Sequence, residues 1–482
     1  MRFLIGRKMC FSQLTAESKG AVAAAVASSR AALAGYLSGL AMFWALAAAP
    51  VLAQGGSAET QPTSTSTGPS SPDYHLTLTP PPDPQEILLA TPSTNPEFIP
   101  HSDANIELSL REAHAQPAGI LPYGPVSLID PSWKAATDGL QSKLHLSLGM
   151  EMENVFQAAT GGSGTRNAGG GYASIFGKWR LIGTSDGENN GYLKFKADYQ
   201  WQMGTQAPSA LGGQIGSLWK TTDGFGENPP AVTQLYWEQQ FSNRALILAI
   251  GKIDATNYYV ENLLASDKQF FMNAAFSGIP AVAAPGNGLG MNAKLSPFPW
   301  LYLTAGFQDQ QGNKTTPGFN TFFGDFDLFS SAEIGFTPKI PGLGQGNYRF
   351  TLWHADSVPG KSLPSDHGFA ISCDQAITPN LYPFLRYEYD RGQLTGIRQL
   401  LTAGIAYQGA LLSKQDVCGL ALAWGQPAMP NLRQQCAVEA FYRVQLSPAN
   451  QLSIGYQMII NPANAPHDEM EGVFWTRFRI LF

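Results

Sequence analysis

From Lys143 onward, apolar and polar residues alternate within segments of about ten residues, and clusters of Gly, Pro, Asn and Asp separate the segments. Between Leu144 and Met152, leucine and methionine occupy the even positions, and polar residues or glycine occupy the odd ones. Between Leu193 and Met203, apolar and aromatic residues take the odd positions, with charged or amide residues between them. Because successive side chains of a strand point to opposite faces, these segments predict β-strands with one apolar and one charged face.

Sixteen such segments follow one another along the chain. An even number of antiparallel strands can close into a barrel, which leaves no backbone group unpaired in lipid. We therefore predict an all-β fold, a transmembrane antiparallel β-barrel of about 16 strands. The predicted strands are 144–156, 172–182, 191–203, 231–241, 244–254, 288–296, 300–308, 330–338, 346–355, 367–376, 381–390, 400–409, 416–425, 436–446, 451–461 and 472–482.

A soluble β-sandwich or propeller would show a similar alternation, but two features favour a membrane barrel. The last segment ends on the aromatic residue Phe482, which resembles the recognition signal for the barrel assembly machinery of the outer membrane. Aromatic residues also lie near the strand ends, as the interfacial girdles of membrane barrels require. These aromatic residues are Tyr199, Trp201, Trp237, Tyr387, Tyr389, Tyr456 and Phe478.

The N-terminal region predicts export. Basic residues precede an apolar run that follows Arg30 and ends in the small-residue sequence Val51-Leu52-Ala53, so we interpret residues 1–53 as a signal peptide. A permanent membrane anchor is the alternative. Cleavage removes five basic residues and one acid, which changes the formal charge from −6 to −10. An acidic protein of this kind argues against nucleic acid as a partner.

Residues 54–131 are rich in Pro, Ser and Thr, and such a segment buries too little apolar surface to fold alone. We predict a disordered periplasmic linker or arm, with Ile87–Leu89 and Leu108–Leu110 as docking points, followed by the barrel at 132–482. Cys418 and Cys436 lie on consecutive predicted strands, so they are candidates for a disulfide, with reduced neighbours as the alternative.

A barrel of this size encloses water, so its function depends on the side chains that point inward. The alternation places charges of both signs there, and a mixed lumen favours a neutral polar solute over an ion. Salt bridges that only stiffen the wall are the alternative role. The pore-lining candidates for substrate binding are Lys194, Lys196, Asp198, Lys252, Asp254, Arg349, Arg386, Glu388, Glu439, Arg443, Arg477 and Arg479. Inward aromatic residues that can stack on a sugar ring are Tyr236, Tyr302, Phe384 and Phe441.

The long stretch 257–287 separates two predicted strands, and a loop of that length is usually functional. We predict that it folds into the barrel and narrows the pore; a lid over the outside is the alternative. The histidines are scattered and no nucleophile elbow is present, so the sequence predicts neither a metal site, a cofactor nor an enzyme.

Several strands carry motifs that resemble one family. The strand from Glu439 to Pro448 has its acidic-aromatic-Tyr-Arg pattern, and Arg477 to Phe482 resembles its closing strand. Gly251-Lys252-Ile253-Asp254, Tyr258-Tyr259 and Phe270-Phe271-Met272-Asn273 resemble an upstream strand and the loop after it, although the family usually has Arg where Lys252 stands. The family is that of the carbohydrate-selective porins, the OprB family, and the resemblance covers roughly Ser132 to Phe482.

This resemblance implies a passive outer-membrane pore for small sugars in a Gram-negative bacterium, without a cofactor or energy source. A general or anion-preferring porin is the first alternative, and a membrane-embedded hydrolase with a Ser-His pair at the outer rim is the second. The expected partners are small sugars, outer-membrane lipid and the assembly machinery. The sequence leaves a monomer and a trimer equally open.

Overall fold

The computed structural model describes residues 105–122, 124, 130–162, 164–183, 187–260, 262–392 and 394–482. The chain divides into two units, Met1–Thr79 and Pro80–Phe482, and all described residues lie in the second. The predicted signal peptide 1–53 and residues 54–104 of the predicted linker lie outside the described residues.

Sixteen antiparallel strands within this part of the chain form one closed barrel, in which each strand pairs with its neighbours in sequence. Every predicted strand is therefore confirmed. The strands are β1 (Leu146–Ala159), β2 (Asn167–Gly183), β3 (Asn190–Met203), β4 (Asn228–Phe241), β5 (Leu246–Ile253), β6 (Gly288–Phe298), β7 (Leu301–Asp309), β8 (Leu328–Phe336), β9 (Gly346–Ala355), β10 (Asp366–Gln375), β11 (Leu381–Asp390), β12 (Ile397–Gln408), β13 (Val417–Pro427), β14 (Gln435–Ser447), β15 (Asn450–Ile460) and β16 (Met470–Leu481).

The barrel closes where β1 pairs with β16. Glu151 lies opposite Leu481, and the register continues without interruption to Ala159 opposite Val473. Beyond the last pair, Met150 and the residue Phe482 exchange backbone hydrogen bonds of 2.9 and 2.8 Å. Closure leaves the sheet without an exposed edge, which is the condition for strands to cross a bilayer.

Short helices accompany the strands in the described residues. They are α1 (Ile106–Ala115), α2 (Asp130–Leu144), α3 (Pro208–Gln214) and α4 (Ala274–Ser277), with 3-10 turns at Ala255–Asn257 and Pro359–Lys361 and a π-helical turn at Thr321–Asp325. None of the helices in this part of the chain combines the length and the apolar character needed to cross a lipid bilayer.

The two ends of the barrel differ in the length of their connections. At the end where β1 begins, strands are joined by short turns, such as 242–245 and 448–449. At the other end, the loops 204–227 and 254–287 are long. Bacterial barrels have short periplasmic turns and longer extracellular loops, so we assign the end with short turns to the periplasm.

The alternation predicted from sequence separates an apolar outer face from the lumen. On β13, Leu420 and Leu422 are 50% and 55% exposed, whereas Ala421 and Ala423 are 1% and 5% exposed. The exposed set faces outward, where the bilayer would cover it. The core consequently lies inside the barrel, between its wall and the segments folded into it.

At the end of the predicted linker the structure has a helix instead of a disordered segment, and this helix contains the predicted docking point Leu108–Leu110. Residues 106–115 form α1, in which Asn105 accepts the backbone N–H groups of Glu107 and Leu108 at 3.1 and 3.3 Å and so caps the helix. Leu110 is buried against Phe176 and Tyr236 of the barrel wall. Propensity alone did not reveal this helix, because its stability comes from packing against the wall.

The candidate disulfide between Cys418 and Cys436 is not formed: Cys373, Cys418 and Cys436 are free thiols, in agreement with the reduced alternative. In the register of β13 and β14, Cys418 lies opposite Tyr442, and Cys436 lies opposite Trp424. Six positions of β14 separate Cys436 from Tyr442, or about 20 Å along the strand. That distance exceeds the reach of a disulfide. The pair is excluded because the two cysteines are unequally far from the centre of the hairpin.

Candidate functional site

Residues 254–260 and 262–287, between β5 and β6, lie inside the barrel, and we name them the inward loop. Lys268 Nζ of this loop donates to Glu151 Oε1 on β1 at 2.8 Å. The backbone N–H of Met272 donates to Glu439 Oε1 on β14 at 2.7 Å. Because the loop touches inward side chains on separate parts of the wall, it crosses the lumen, as the sequence predicted.

Two side chains of β11 hold the end of the inward loop. Arg386 Nη2 donates to the carbonyl oxygens of Ala275 and Gly278 at 2.7 and 2.6 Å. Glu388 Oε2 accepts the N–H of Ala281 at 2.9 Å. Arg386 Nε and Glu388 Oε1 are 2.7 Å apart, and both side chains are buried. This pair therefore binds the loop instead of facing open water.

Apolar packing also fixes the inward loop. Phe270, Phe271 and Phe276 are 1%, 0% and 0% exposed. The Phe271 ring lies edge-on to Phe441 of β14, with 4.9 Å between centroids, and 6.0 Å from Phe384 of β11. Burying one such side chain contributes about 1.5–3 kcal/mol. Two aromatic residues predicted to stack on sugar, Phe384 and Phe441, are thus covered by the loop.

Asp254 closes the base of the inward loop. Its Oδ1 accepts the N–H and the hydroxyl of Thr256 at 3.0 and 2.6 Å, which begins the 3-10 turn. Its Oδ2 accepts from Asn287 Nδ2 at 3.2 Å, so one carboxylate joins the beginning of the loop to its end.

A second loop, 204–227, packs beside the first inside the barrel. Thr222 Oγ1 donates to Asp267 Oδ2 of the inward loop at 2.8 Å. Thr221 Oγ1 donates to Gln157 Oε1 on β1 at 2.9 Å. The two loops are therefore bound to each other and to the wall, and together they narrow the lumen.

The loops and the wall leave a cavity of ≈ 180 Å³. Carboxylates, ammonium groups, amides and two phenols face it. On one side Lys268 Nζ lies 3.8 Å from the centre of the Tyr172 ring. The polar residues that line the cavity are Tyr172, Lys196, Asp198, Gln200, Asp223, Gln234, Asp254, Thr256, Tyr259, Asp267, Lys268, Ser277, Asn287 and Lys314.

The lining groups are held in place by one another. Asp198 accepts from the hydroxyls of Tyr172 and Thr233 at 2.7 and 2.6 Å. Burial raises the pKa of the Tyr259 phenol well above its ordinary value, with the charges of Asp254 and Glu333 acting in the same direction. The phenol consequently stays protonated at neutral pH. The cavity offers fixed donors and acceptors of both signs, which suits multipoint, weak binding of a polar solute.

The structure divides the twelve predicted site residues into four groups. Only three of the twelve, Lys196, Asp198 and Asp254, line the cavity. Those that contact the inward loop are Arg386, Glu388, Glu439, Arg443 and Arg477. Those that contact α1 are Lys194 and Arg479. Substrate binding by these residues stays a prediction.

The two remaining candidates bind other parts of the barrel. Lys252 Nζ donates to the carbonyls of Val232, Lys314 and Thr316 at 2.9, 2.8 and 2.8 Å. Arg349 binds Asp374 on β10 at 2.9 Å and the phenol of Tyr302 at 3.1 Å.

Sequence reasoning missed most of the cavity lining. Tyr172 shares the parity of inward residues such as Lys178 on β2, so the alternation could have identified it. Asp223, Tyr259 and Lys268 belong to irregular loops, where no periodicity indicates which side chain faces the lumen. In the described residues, no three His, Cys, Asp or Glu side chains are grouped so as to hold a metal ion.

Comparison with known proteins agrees with the family resemblance found in the sequence. The family model described as "Carbohydrate-selective porin, OprB family" matches residues 192–363. Porin AaxA of Chlamydia muridarum is 24% identical over 282 residues, which are 56% of this chain and 59% of the relative. Porin AaxA of Chlamydia trachomatis serovar D is 25% identical over 265 residues, 51% of this chain and 54% of the relative. The chain thus spans somewhat more than half the length of these curated relatives.

The fold has a solved counterpart. A high-pH structure of Pseudomonas putida OprB superimposes with a TM-score of 0.60 at 14% sequence identity, over 73% of this chain and 97% of that chain. Fold and site together define the class: this protein is a closed, sixteen-stranded β-barrel with the fold of an outer-membrane porin. Within that class it is similar to the carbohydrate-selective porins of the OprB family. Both likenesses favour a channel over an enzyme.

Proposed function

We propose that this protein is a porin through which small neutral sugars cross the outer membrane by passive diffusion. The observation that carries the proposal is the inward loop, which is bound to the wall and leaves a narrow cavity of mixed charge. A water-filled barrel needs no cofactor or energy source for such transport.

The chemistry of the cavity suits a polyhydroxyl solute. Asp254 and Asp267 supply acceptors, and Lys196 and Lys268 supply donors. The Lys268 ammonium lies over the Tyr172 ring, 3.8 Å from its centre. Because conduction requires that a solute leave as readily as it enters, several weak contacts serve a pore better than one tight site. The likeness to carbohydrate-selective porins supports the same substrate class.

A general porin is the second candidate, since a cavity with both signs of charge also admits small ions. Four carboxylates, those of Asp198, Asp223, Asp254 and Asp267, face three lysines in the lining. This balance disfavours a strong preference for anions. A reversal potential measured across a salt gradient would separate the two candidates, because a sugar pore of this lining should discriminate weakly between ions.

We further propose that the last strand, β16, carries the recognition signal for the outer-membrane assembly machinery. Phe482 follows this strand and exchanges two backbone hydrogen bonds with Met150, so the residue also takes part in closing the barrel. Replacing Phe482 with serine should lower the amount of barrel assembled in cells more than it lowers the stability of refolded protein.

Liposome swelling tests the proposed substrate class. Purified protein in liposomes should admit glucose faster than an amino acid or a salt of similar size, and a disaccharide more slowly than glucose. Lys196→Gln should reduce this preference, whereas Lys361→Gln, at an exposed position of an outer loop, should not. Equal rates for all solutes would support the general porin, and absence of swelling in folded protein would overturn the channel proposal.

A further inference from the structure

A chain of charged side chains connects α1 to the cavity. Glu112 of α1 accepts two hydrogen bonds from Arg479, at 2.5 and 2.9 Å. Arg479 Nη2 also donates to Glu151 Oε2 at 2.9 Å. The other oxygen of Glu151 accepts from Lys268 Nζ at 2.8 Å. Lys268 lines the cavity, so three consecutive ionic contacts connect Glu112 of α1 to the solute path.

Glu112 also touches the inward loop directly. Gln269 Nε2 donates to Glu112 Oε2 at 2.9 Å, and Gln269 is the residue that follows Lys268. Arg443 of β14 donates to the backbone carbonyl of Gln269 at 3.3 Å. The backbone beside Lys268 is therefore held from the helix on one side and from the wall on the other.

The position of α1 is itself fixed by contacts that do not involve Glu112. Glu107, near the beginning of the helix, binds Lys178, Lys194 and Arg244 at 3.4, 3.0 and 3.3 Å. Apolar residues of α1 also pack with residues of β2, β4 and β5. These helix residues are Ile106, Leu110 and Ala113. Glu112 thus acts from a rigid support.

We propose that Glu112 is a positioning residue of the constriction: through Arg479 and Gln269 it fixes Lys268 beside Tyr172 and so sets which solutes pass. The inference deepens the proposed function and rests on it. A lysine ammonium ends a flexible four-carbon stem, so its place in a lumen is defined only by the partners that hold it. Charge-assisted hydrogen bonds between buried groups are the strongest contacts that can hold such an ammonium group.

This assignment makes the end of the Pro-rich arm part of the selectivity constriction. Glu112 and Arg479 both lie outside the residues 192–363 that the family model matches. The cavity itself is lined mostly from within that segment, so its final geometry depends on a helix from an earlier part of the chain.

The test compares Glu112→Gln with Glu469→Gln in the full-length protein, the control being an exposed residue of an outer loop. The measured quantity is the ratio of disaccharide to glucose swelling rates. Glu112→Gln should raise this ratio several-fold, since a displaced Lys268 no longer narrows the cavity, and the control should keep the ratio of the unmodified protein. Equal ratios in all three proteins would overturn the assignment.

A double-mutant cycle distinguishes positioning from a general loss of structure. Lys268→Met removes the ammonium directly and should raise the same ratio. If Glu112 acts through Lys268, the double variant should exceed neither single variant, because the two changes remove one function. Additive effects would overturn the assignment even if each single variant is altered. Protein that lacks swelling with every solute before any substitution would instead refute the proposed function.

Discussion

The ion pair between Arg386 and Glu388 binds the inward loop on both sides of the short helix α4. Arg386 binds carbonyl oxygens at the beginning and the end of this helix, and Glu388 binds an N–H three residues farther on. With 2.7 Å between Nε and Oε1 and almost no exposure, each residue depends on the other for its charge balance. The pair therefore connects the barrel wall to the inward loop, and we name it the strut.

Arg386→Met should release the loop while the barrel stays closed. Removing one partner of a buried ion pair leaves the other charge uncompensated, at a cost of about 3–5 kcal/mol. We expect faster entry of a disaccharide in liposome swelling and new protease cleavage within residues 262–287. Arg391→Met, at an exposed position just after the same strand, is the matched control. Unchanged cleavage and unchanged swelling in Arg386→Met would contradict the role of the strut.

Phe271→Ala tests the apolar attachment of the loop. Replacing a fully buried Phe by Ala costs about 3–5 kcal/mol, and Phe271 is in contact with the rings of Phe276, Phe384 and Phe441. Hydrogen exchange of the inward loop should accelerate, with the strands still protected. Phe323→Ala, at a ring that is 72% exposed, should leave exchange as it was. Equal exchange in the two variants would show that the cluster does not hold the loop.

The docking of α1 should depend on pH through Glu107. Burial raises the pKa of this carboxyl, but the charges of Lys178, Lys194 and Arg244 outweigh burial and hold the pKa well below its usual range. A carboxyl with a lowered pKa stabilises the docked helix above its free pKa of about 4.3. This stabilisation is lost as the pH falls through the lowered pKa that Glu107 has in the docked helix.

Hydrogen-exchange protection of residues 106–115 measures that dependence. Protection, corrected for intrinsic exchange rates, should be constant between neutral pH and about pH 5 and should fall in more acidic solution. Glu107→Gln should show low protection throughout, without the acid transition. Protection that does not change with pH in the unmodified protein would exclude Glu107 as the group responsible.

The free thiols predict a simple labelling result. Cys373, Cys418 and Cys436 should each take one maleimide when unreduced protein is denatured, and prior reduction should add no further label to these positions. Mass spectrometry of the digested protein gives the count at each cysteine. If Cys418 and Cys436 were labelled only after reduction, the strand register between β13 and β14 would be wrong.

The strands could be predicted from sequence because each one faces two different environments. On β13, the difference in exposure between Leu420 and Ala421 repeats with a period of two residues. This period can be recognised in one strand without knowing which strands lie beside it. The barrel follows from the number of such strands. The choice between a disulfide and free cysteines stayed open for the complementary reason. Pairing between Cys418 and Cys436 depends on the register between two strands, which the alternation within one strand does not contain.

The site was less predictable than the fold. Parity correctly indicates inward residues such as Arg386 and Asp198, but it does not say whether an inward side chain meets water or protein. Arg386 meets the inward loop, and Asp198 meets the cavity. The difference is decided by loops and by α1, whose positions depend on tertiary contacts such as Glu112 with Arg479.

The central claim is that sugar passes through a constriction that binds it weakly, and ion current through single channels tests this most directly. Adding glucose to the bath should reduce the current reversibly, because a sugar in the cavity displaces the ions that carry the current. The reduction should saturate as the glucose concentration rises. Replacement of Tyr172 with alanine should weaken this block by removing the ring beside Lys268. A current that glucose does not alter at any concentration, beyond the effect of viscosity, would contradict the claim.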